Sequence, residues 1–303
     1  MNSERGNISI IFLVVGLFLM VVAHLVMMYV GRDVELEKDY WRGRQLRLLC
    51  ATAIQRFAQE EQLEAGESVL FEAALQPGNV PVQLSRNVYY SDDGYFKQLE
   101  LSAATEEDHH TLRHLQFRLD EEKLLQAQGA MLISGKGLLG AEFLADEGIY
   151  TSAEEVTIPP LGFLKNTGTA KRSVSSLGMD DVKQYGLDKR FYYLTVTTNP
   201  TTFSKNMKVY GTAVIATEGS IIIESGCQFF DRVIFLVRGT LTIKDNVQLP
   251  QALVLSYGKV SIGAGCKIAG VIFSGGNIEL GGVSELTHDE SVVAPFSSAF
   301  YIL

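Results

Sequence analysis

The feature that most constrains the fold is a C-terminal repeat with a period close to twenty residues. Four apolar runs each end in glycine, and the closing glycines are spaced by 20, 19 and 18 residues. The runs are Ala213–Gly219, Val233–Gly239, Leu253–Gly258 and Val271–Gly276. Apolar residues also return about every six positions inside a repeat. A short period within a longer one predicts a three-sided parallel β-helix of about three to four turns.

Equivalent residues in successive turns of such a coil stack about 4.8 Å apart and form columns. We expect the apolar columns to point inward. Their predicted members are Ile223, Ile243, Ile262 and Leu280; Phe229, Leu249, Ile268 and Leu286; and Phe235 with Leu255. Cys227, Val247 and Cys266 fall in another column, which places two buried thiols two turns apart and beyond disulfide reach. The alternative is an antiparallel meander whose segments are alike by chance.

A second feature is the apolar run from Ile8 to Val30, which contains no acidic side chain, Lys or Arg. At about 1.5 Å per residue, a helix of this length crosses the roughly 30 Å hydrocarbon core of a bilayer. A secretory signal peptide has a shorter apolar core and a small-residue cleavage site, which this run lacks. Every face of the helix is apolar, which disfavours the alternative of a buried core helix. The run therefore predicts a single transmembrane helix.

Helical spacing of apolar residues continues from Arg32 to about Ala65, with Gly66 as the predicted C-cap. We expect one long helix that is embedded in lipid in its first half and amphipathic in its second. Its apolar stripe must pack either on its own domain or on neighbouring copies. The predicted stripe comprises Trp41, Leu48, Leu49, Ala53, Ile54 and Phe57.

Between the helix and the repeat, short runs alternate apolar and polar residues, which is typical of half-buried antiparallel strands. The predicted strands are Glu67–Leu75, Val80–Tyr90, Tyr95–Ala103, Thr111–Leu119 and Phe191–Thr198, with a turn at Ser91–Gly94. The predicted fold class is therefore α+β and mostly β. Its parts are the helical segment 1–65, a small sheet domain 66–207, the β-helix 208–290 and a hydrophobic tail 291–303. We expect the tail to cap the β-helix, and the alternative is a docking segment.

Composition and motifs point away from several functions. A net charge of −9 disfavours nucleic-acid binding, and three cysteines cannot form a complete disulfide framework. His110 and His114 would share a face on a helix and could bind zinc, but their surroundings predict a solvated polar loop. The stretch Gly135–Gly137 lacks the remainder of a phosphate-binding loop and predicts a tight turn.

Some parallel β-helices are carbohydrate-cleaving enzymes or acyltransferases, so an enzyme is a further alternative. The acidic residues of the repeat are scattered, and an acyltransferase would need His288, which lies beyond the last full turn. The acids are Glu224, Asp231, Asp245 and Glu279. We therefore assign no catalytic, cofactor-binding or metal-ligating residue, and we expect a protein that is not an enzyme and needs no cofactor.

The start of the chain, Glu4-Arg5-Gly6-Asn7-Ile8-Ser9-Ile10-Ile11 with the long helix after it, resembles minor pilins and pseudopilins of type IV pilus and type II secretion systems. In those families a short basic leader ending in Gly precedes an apolar helix that becomes amphipathic and leads into a sheet domain. The resemblance implies cleavage by a prepilin peptidase between Gly6 and Asn7. Asn7 departs from the usual Phe or Met, and Ile11 stands where major pilins carry Glu.

Residues 210–287 resemble bactofilins and other short β-helix modules, which are structural and polymerise by stacking their ends. A bactofilin-like scaffold holds its soluble part in the cytoplasm, whereas a pilin-like protein holds it outside. Only Arg5 precedes the apolar run among basic residues, and several follow it, so the positive-inside rule favours the cytoplasm. Pilin-type anchors, however, are drawn outward by dedicated machinery.

The leading hypothesis is a non-enzymatic, pilin-like or pseudopilin-like structural protein of the bacterial cell envelope. We expect a single-pass protein of the inner membrane whose soluble part lies on the extracytoplasmic side. The expected partners are the lipid bilayer and other subunits, bound through the N-terminal helix or the β-helix ends, and not nucleic acid. The alternative is a cytoplasmic, membrane-tethered scaffold of the bactofilin type.

Overall fold

The computed structural model describes residues 3–58, 63–75, 79–145, 147–153, 155–156, 160–167, 170–173, 184–195 and 200–302. The predicted fold class is confirmed, since a long N-terminal helix, an antiparallel sheet and a parallel β-solenoid account for the fold. The chain divides into two compact units, residues 1–87, 100–113 and 301–303 in one and residues 88–99 and 114–300 in the other.

The α-helices of the described residues are α1 (Ser3–Phe57), α2 (Glu121–Gln126) and α3 (Gly162–Thr167). The strands are β1 (Gly66–Leu75), β2 (Val80–Tyr90), β3 (Phe96–Ala104), β4 (His109–Phe117), β5 (Leu132–Ser134), β6 (Gly137–Leu139), β7 (Tyr150–Ser152), β8 (Ala170–Ser173), β9 (Gln184–Gly186), β10 (Arg190–Thr195), β11 (Thr201–Phe203), β12 (Lys208–Tyr210), β13 (Ala213–Thr217), β14 (Ile221–Ile223), β15 (Gln228–Phe229), β16 (Val233–Val237), β17 (Leu241–Ile243), β18 (Gln248–Ser256), β19 (Val260–Ile262), β20 (Lys267–Ser274), β21 (Asn277–Leu280), β22 (Glu285–His288) and β23 (Phe296–Ile302).

The antiparallel sheet has five strands in the order β1-β2-β3-β4-β23. The first four strands lie within two residues of their predicted bounds, because alternation of apolar and polar residues is a direct consequence of one buried face. The predicted turn after β2 is also present, with the Gly94 amide donating to the Ser91 carbonyl oxygen at 2.9 Å. The predicted strand Phe191–Thr198 is β10, and its residues 196–198 lie outside the described ranges.

Helix α1 ends at Phe57 and not near Ala65, and Gly66 begins β1 instead of capping the helix. The helix face that packs within its unit carries Leu46, Cys50 and Ile54, all buried. After Phe57 the sequence runs through Ala58 and four polar residues, so it offers no further large apolar side chain to that face. The spacing of apolar residues alone therefore predicted too long a helix, because tertiary packing determines where α1 ends.

The central turns of the solenoid, from β10 to β22, each have three parallel strands, so the predicted three-sided coil is confirmed. Its first face has the strand order β7-β5-β20-β18-β16-β13-β10-β8, and its second face has the order β11-β14-β17-β19-β21-β6. The third face consists of β9, β12, β15, the first residues of β18 and β20, and β22. The coil has about six turns, more than the three to four predicted.

The additional turns come from the segment that the sequence assigned to the middle sheet domain. Leu132–Ser134 pairs with Ile272–Ser274, and Gly137–Leu139 pairs with Asn277–Glu279, although about 140 residues separate the partners. Half-buried apolar side chains that follow these strands pack against the solenoid core. They are Phe143, Leu144, Ile149 and Tyr150, and Leu138 of β6 packs there in the same way.

The C-terminal tail was predicted to cap the solenoid, but the segment 132–152 extends that end of the coil and the tail does not. The tail instead forms a 3₁₀ turn at Glu290–Val293 and then β23, which pairs beside β4. Val292 and Phe296 are buried in a second apolar cluster on the outer side of the first face. An apolar tail predicts burial, but not which surface it covers.

The solenoid interior contains the predicted columns with one correction. Ile223 stacks on Ile243, which stacks on Ile262, and the cysteine column passes through Val247. Phe235, however, pairs with Val254, while Leu255 points outward into the second apolar cluster. The cause is a corner that is one residue shorter than in the preceding turn, because Gln228 pairs with Gln248, twenty residues on, whereas Val233 pairs with Ala252, nineteen residues on.

Strands of the first face are buried on both sides. Every residue of β13 and β16 is buried, because the inner side faces the solenoid core and the outer side faces the second apolar cluster. Continuous apolar runs are typical of parallel strands that are covered on both faces. This explains why the repeat's closing runs lack the alternation seen elsewhere in the chain.

Candidate functional site

The histidine-rich segment lies in strand β4, which begins two residues before the predicted strand Thr111–Leu119, so His110 and His114 do not lie in the predicted polar loop. His110 and His114 lie on the same side of an extended strand, about 13 Å apart along it, which is too far for shared metal binding. His114 is buried, and desolvation together with the charge of Lys97 lowers its pKa to about 4. No group of three or more His, Cys, Asp or Glu side chains in the described part of the chain is placed to hold a metal ion.

The Gly135–Gly137 stretch forms a corner of the solenoid, as the predicted tight turn requires. Ser134 before it stacks on Ser274, which stacks on Ser256, and each hydroxyl donates to a glycine carbonyl of the neighbouring turn. The donor–acceptor distances to Gly276, Gly258 and Gly239 are 2.9, 3.0 and 3.2 Å. Lys136 therefore belongs to a structural corner and not to a phosphate-binding loop.

The acidic residues of the repeat are used in local structure. Asp231 accepts from the Gly211 amide at 2.6 Å, and Asp245 accepts from the Ala264 amide at 2.9 Å. Glu279 on the second face accepts from Lys259 at 3.0 Å. The third-face lining of the repeat contains one carboxylate, Glu285, whereas glycoside hydrolysis uses a pair of carboxyl groups that flank the bond to be cleaved.

His288 and the cysteines are likewise held by backbone groups. The Nε2 atom of His288 lies 2.8 Å from the carbonyl oxygen of Ala127. Cys227 donates to the Ser204 carbonyl oxygen at 2.8 Å, and burial raises the pKa of its thiol to about 11. The cysteines are buried and free, so their side chains behave as small apolar groups and not as nucleophiles.

The outer surface of α1 is the largest exposed apolar feature of the described residues. Side chains from Val14 to Val30 are exposed, and the helix is long and apolar enough to span a membrane. The predicted cleavage position, Gly6–Asn7, lies in this helix before the exposed stretch. Helix α1 is much longer than the average helix of a soluble protein. Its exposed apolar surface therefore requires a lipid bilayer or another protein to cover it.

The predicted stripe of the amphipathic half divides into two faces. Ala53 and Ile54 pack within their own unit, but Trp41 and Leu48 point away from it. Val34, Trp41 and Leu48 recur every seven residues and are 44%, 43% and 58% exposed. We call these three residues the outer stripe. A seven-residue apolar spacing is the pattern of a helix that packs lengthwise on another helix.

The third face of the solenoid carries a groove that the sequence analysis missed. Tyr210 and Phe230, one turn apart, stack with ring centroids 4.5 Å apart and planes within 3°. Beyond the Phe230 ring, a groove of about 340 Å³ crosses the next two turns. We call this feature the third-face groove, and it is lined by Phe229, Phe230, Gln248, Pro250, Lys267, Ile268, Ala269, Glu285 and Thr287. The sequence feature that could have predicted this groove is the pair of aromatic residues Tyr210 and Phe230, which are twenty positions apart.

No protein-family model matches the chain, and comparison with curated proteins also finds no match. The architecture therefore defines the class: a protein with one helix able to span a membrane, an antiparallel sheet and a parallel β-solenoid.

Proposed function

We propose that this chain is a non-enzymatic structural or assembly protein of the bacterial cell envelope, of the pilin or pseudopilin kind. It crosses the inner membrane once through α1 and holds its soluble part on the extracytoplasmic side. The observation that supports this proposal best is the surface of α1. One face is buried within its own unit, while an apolar outer face runs from Val14 through the outer stripe.

The length of α1 supports packing against other subunits. A bilayer requires about 20 apolar residues, which Ile8–Val30 supplies. The outer stripe begins after that run and continues to Leu48, so about four further turns with an apolar stripe lie outside the hydrocarbon core. Leaving this surface in water is unfavourable by about 25 cal/mol for each Å² of apolar area. A neighbouring helix in an assembly would cover it.

The alternative, a cytoplasmic scaffold that polymerises through solenoid ends, receives less support. Stacking requires exposed end strands and open apolar columns. At one end, Phe143, Leu144 and Ile149 pack against the core columns, and two short 3₁₀ turns lead into β7, a three-residue strand that pairs with β5. Such a cap disfavours growth of a polymer from that end. The side chains of Asp231, Asp245, Glu279 and His288 form hydrogen bonds within the fold. They therefore do not support an enzymatic function.

Photo-cross-linking in native membranes tests the assembly. A p-benzoylphenylalanine placed at Trp41 would lie on the outer stripe, and one placed at Asp39 would lie about 160° around the helix. We expect the Trp41 position to form adducts with the α1 segment of another copy or of a related subunit. Equal adduct formation from both positions, or none from Trp41, would contradict the proposal.

Processing of the N-terminus provides an independent test, which rests on the resemblance to prepilins. Intact-mass analysis of the protein purified from its own membranes is expected to show a chain that begins at Asn7. A mature chain that retains residues 1–6 would count against the pilin-like mode of export and would leave the cytoplasmic scaffold as the better hypothesis.

A further inference from the structure

We infer that the third-face groove binds an uncharged oligosaccharide. This inference goes beyond the proposed assembly role, and it rests on the chemistry of the groove within the solenoid unit. Outward-facing side chains of the third face form two columns, because Gln248 pairs with Lys267 and Lys267 pairs with Glu285 on successive turns. The second column passes through Phe230, Pro250 and Ala269, in the order of the turns.

The shape of the groove follows from the side-chain sizes in the second column. Phe230 is held by its stacking on Tyr210 and is 45% exposed, so it forms a wall that a ligand can approach without ordering the side chain first. Pro250 and then Ala269 leave the floor low where larger residues would fill it. From Gln248 to Glu285 the groove spans two turns, or about 10 Å, a length that fits two linked pyranose rings.

The polar groups that line the groove favour a hydroxyl-rich ligand. The Gln248 amide and the Thr287 hydroxyl can both donate and accept hydrogen bonds, and they lie on the rim of the apolar floor. An aromatic wall and a few polar groups are the usual combination in small-ligand sites, and the volume lies within the usual range. A pyranose ring matches this combination, since it has an apolar C–H face and polar hydroxyls at its edge.

The charges in the groove favour a neutral ligand over an ionic one. Lys267 Nζ lies 2.8 Å from Glu285 Oε2, and this pairing also raises the pKa of Lys267. The two charges neutralise each other, so the groove offers no net charge to a nucleic acid, an acidic peptide or a phosphate group. The Lys267–Glu285 ion pair still has carboxylate lone pairs and ammonium N–H groups that it does not use. Hydroxyl groups of a sugar can bind to these without breaking the ion pair.

Binding is measured by NMR or calorimetry with the full-length protein in a detergent that has no sugar headgroup. The probes are chitotetraose, cellotetraose and maltotetraose. We expect at least one of them to bind, and we expect F230A to weaken that binding about tenfold, the scale of a well-formed aromatic contact. Y257A is the matched control, because Tyr257 is a more exposed aromatic residue outside the groove, and we expect it to bind like the wild type.

A second variant separates loss of binding from loss of folding. A269K fills the floor of the groove from a half-buried position and leaves Phe230 in place. We expect A269K to abolish binding while its circular dichroism spectrum matches that of the wild type. If none of the three tetrasaccharides binds, or if F230A and Y257A weaken binding equally, the inference is wrong. Preference for a sulfated oligosaccharide with strong salt dependence would also overturn it.

Discussion

Arg232 shows how a single side chain of the solenoid fixes the C-terminal tail. Its guanidinium donates to the carbonyl oxygens of Val292 and Ala294, the first at 2.7 Å. Burial lowers the pKa of Arg232, and the charge of Asp289 partly opposes this effect. The tail therefore leaves the solenoid through a charge-assisted contact, which positions Phe296 over the first face.

Replacing Arg232 with Met removes these hydrogen bonds and keeps most of the aliphatic stem. We expect Arg232→Met to reduce the free energy of unfolding by about 2 kcal/mol, the scale of hydrogen bonds from a charged donor to groups left unpaired. Urea unfolding followed by circular dichroism measures the change. Arg238→Met is the control: Arg238 makes an exposed ion pair with Glu218 at 3.5 Å, so its loss should cost less than about 0.5 kcal/mol.

His114 makes the stability depend on pH. Its pKa is lowered to about 4 in the fold, while an unfolded chain has the ordinary value near 6.5. The unfolded state therefore binds more protons between these values. The contribution of His114 is fully present above pH 6.5 and is lost as the pH falls towards 4, by about 3 kcal/mol at most.

We expect His114→Gln to flatten this part of the stability profile, as measured by urea midpoints at several pH values. The exposed residue on the same strand supplies the control, since His109→Gln should preserve the wild-type slope. A slope between pH 6.5 and 4 that is the same in His114→Gln as in the wild type would refute the assignment.

At the scale of secondary-structure elements, the features that could be predicted from the sequence are those that produce a local periodicity of apolar residues. Four strands of the sheet and most solenoid columns have period-two or period-twenty patterns that burial imposes directly. The turn formed by β5 and β6 was missed, although Leu132-Ile133-Ser134-Gly135 is similar to Ile272-Phe273-Ser274-Gly275. A repeat is recognised when similar segments follow one another in the sequence. This turn pairs with a strand that lies about 140 residues further along the chain, so the similarity was not apparent. The third-face groove was missed because it depends on which side chains are small beside Phe230.

Gly270 tests the irregular register of β18 and β20. Its φ is +147°, and a Cβ atom there would collide with the carbonyl oxygen of Ala252. We expect Gly270→Ala to destabilise the solenoid by about 3 kcal/mol, since it combines backbone strain with overpacking. Gly186→Ala is the matched control in another solenoid strand, because no atom of the described residues lies within 4 Å of its added Cβ. Equal unfolding midpoints for the two variants would contradict the described backbone at Gly270.

At the scale of the whole molecule, the chain combines a long helix, an antiparallel sheet and a solenoid. Helix α1 supplies the segment that can span a membrane, and its outer stripe is the surface that we propose packs on other helices. The sheet covers the inner face of the helix, and the solenoid presents the third-face groove to its surroundings. The net charge of the whole chain is −9, which disfavours nonspecific binding to nucleic acid.

Protease accessibility in cells tests the central claim most directly. With the outer envelope opened and the inner membrane intact, an added protease should cleave the soluble part, which follows α1 in the chain. A cytoplasmic protein should remain protected in the same samples, and lysis should expose it. If the soluble part lies on the extracytoplasmic side, as we propose, the full-length chain should be lost before lysis. Complete protection until the inner membrane is broken would contradict the account and place the soluble part in the cytoplasm.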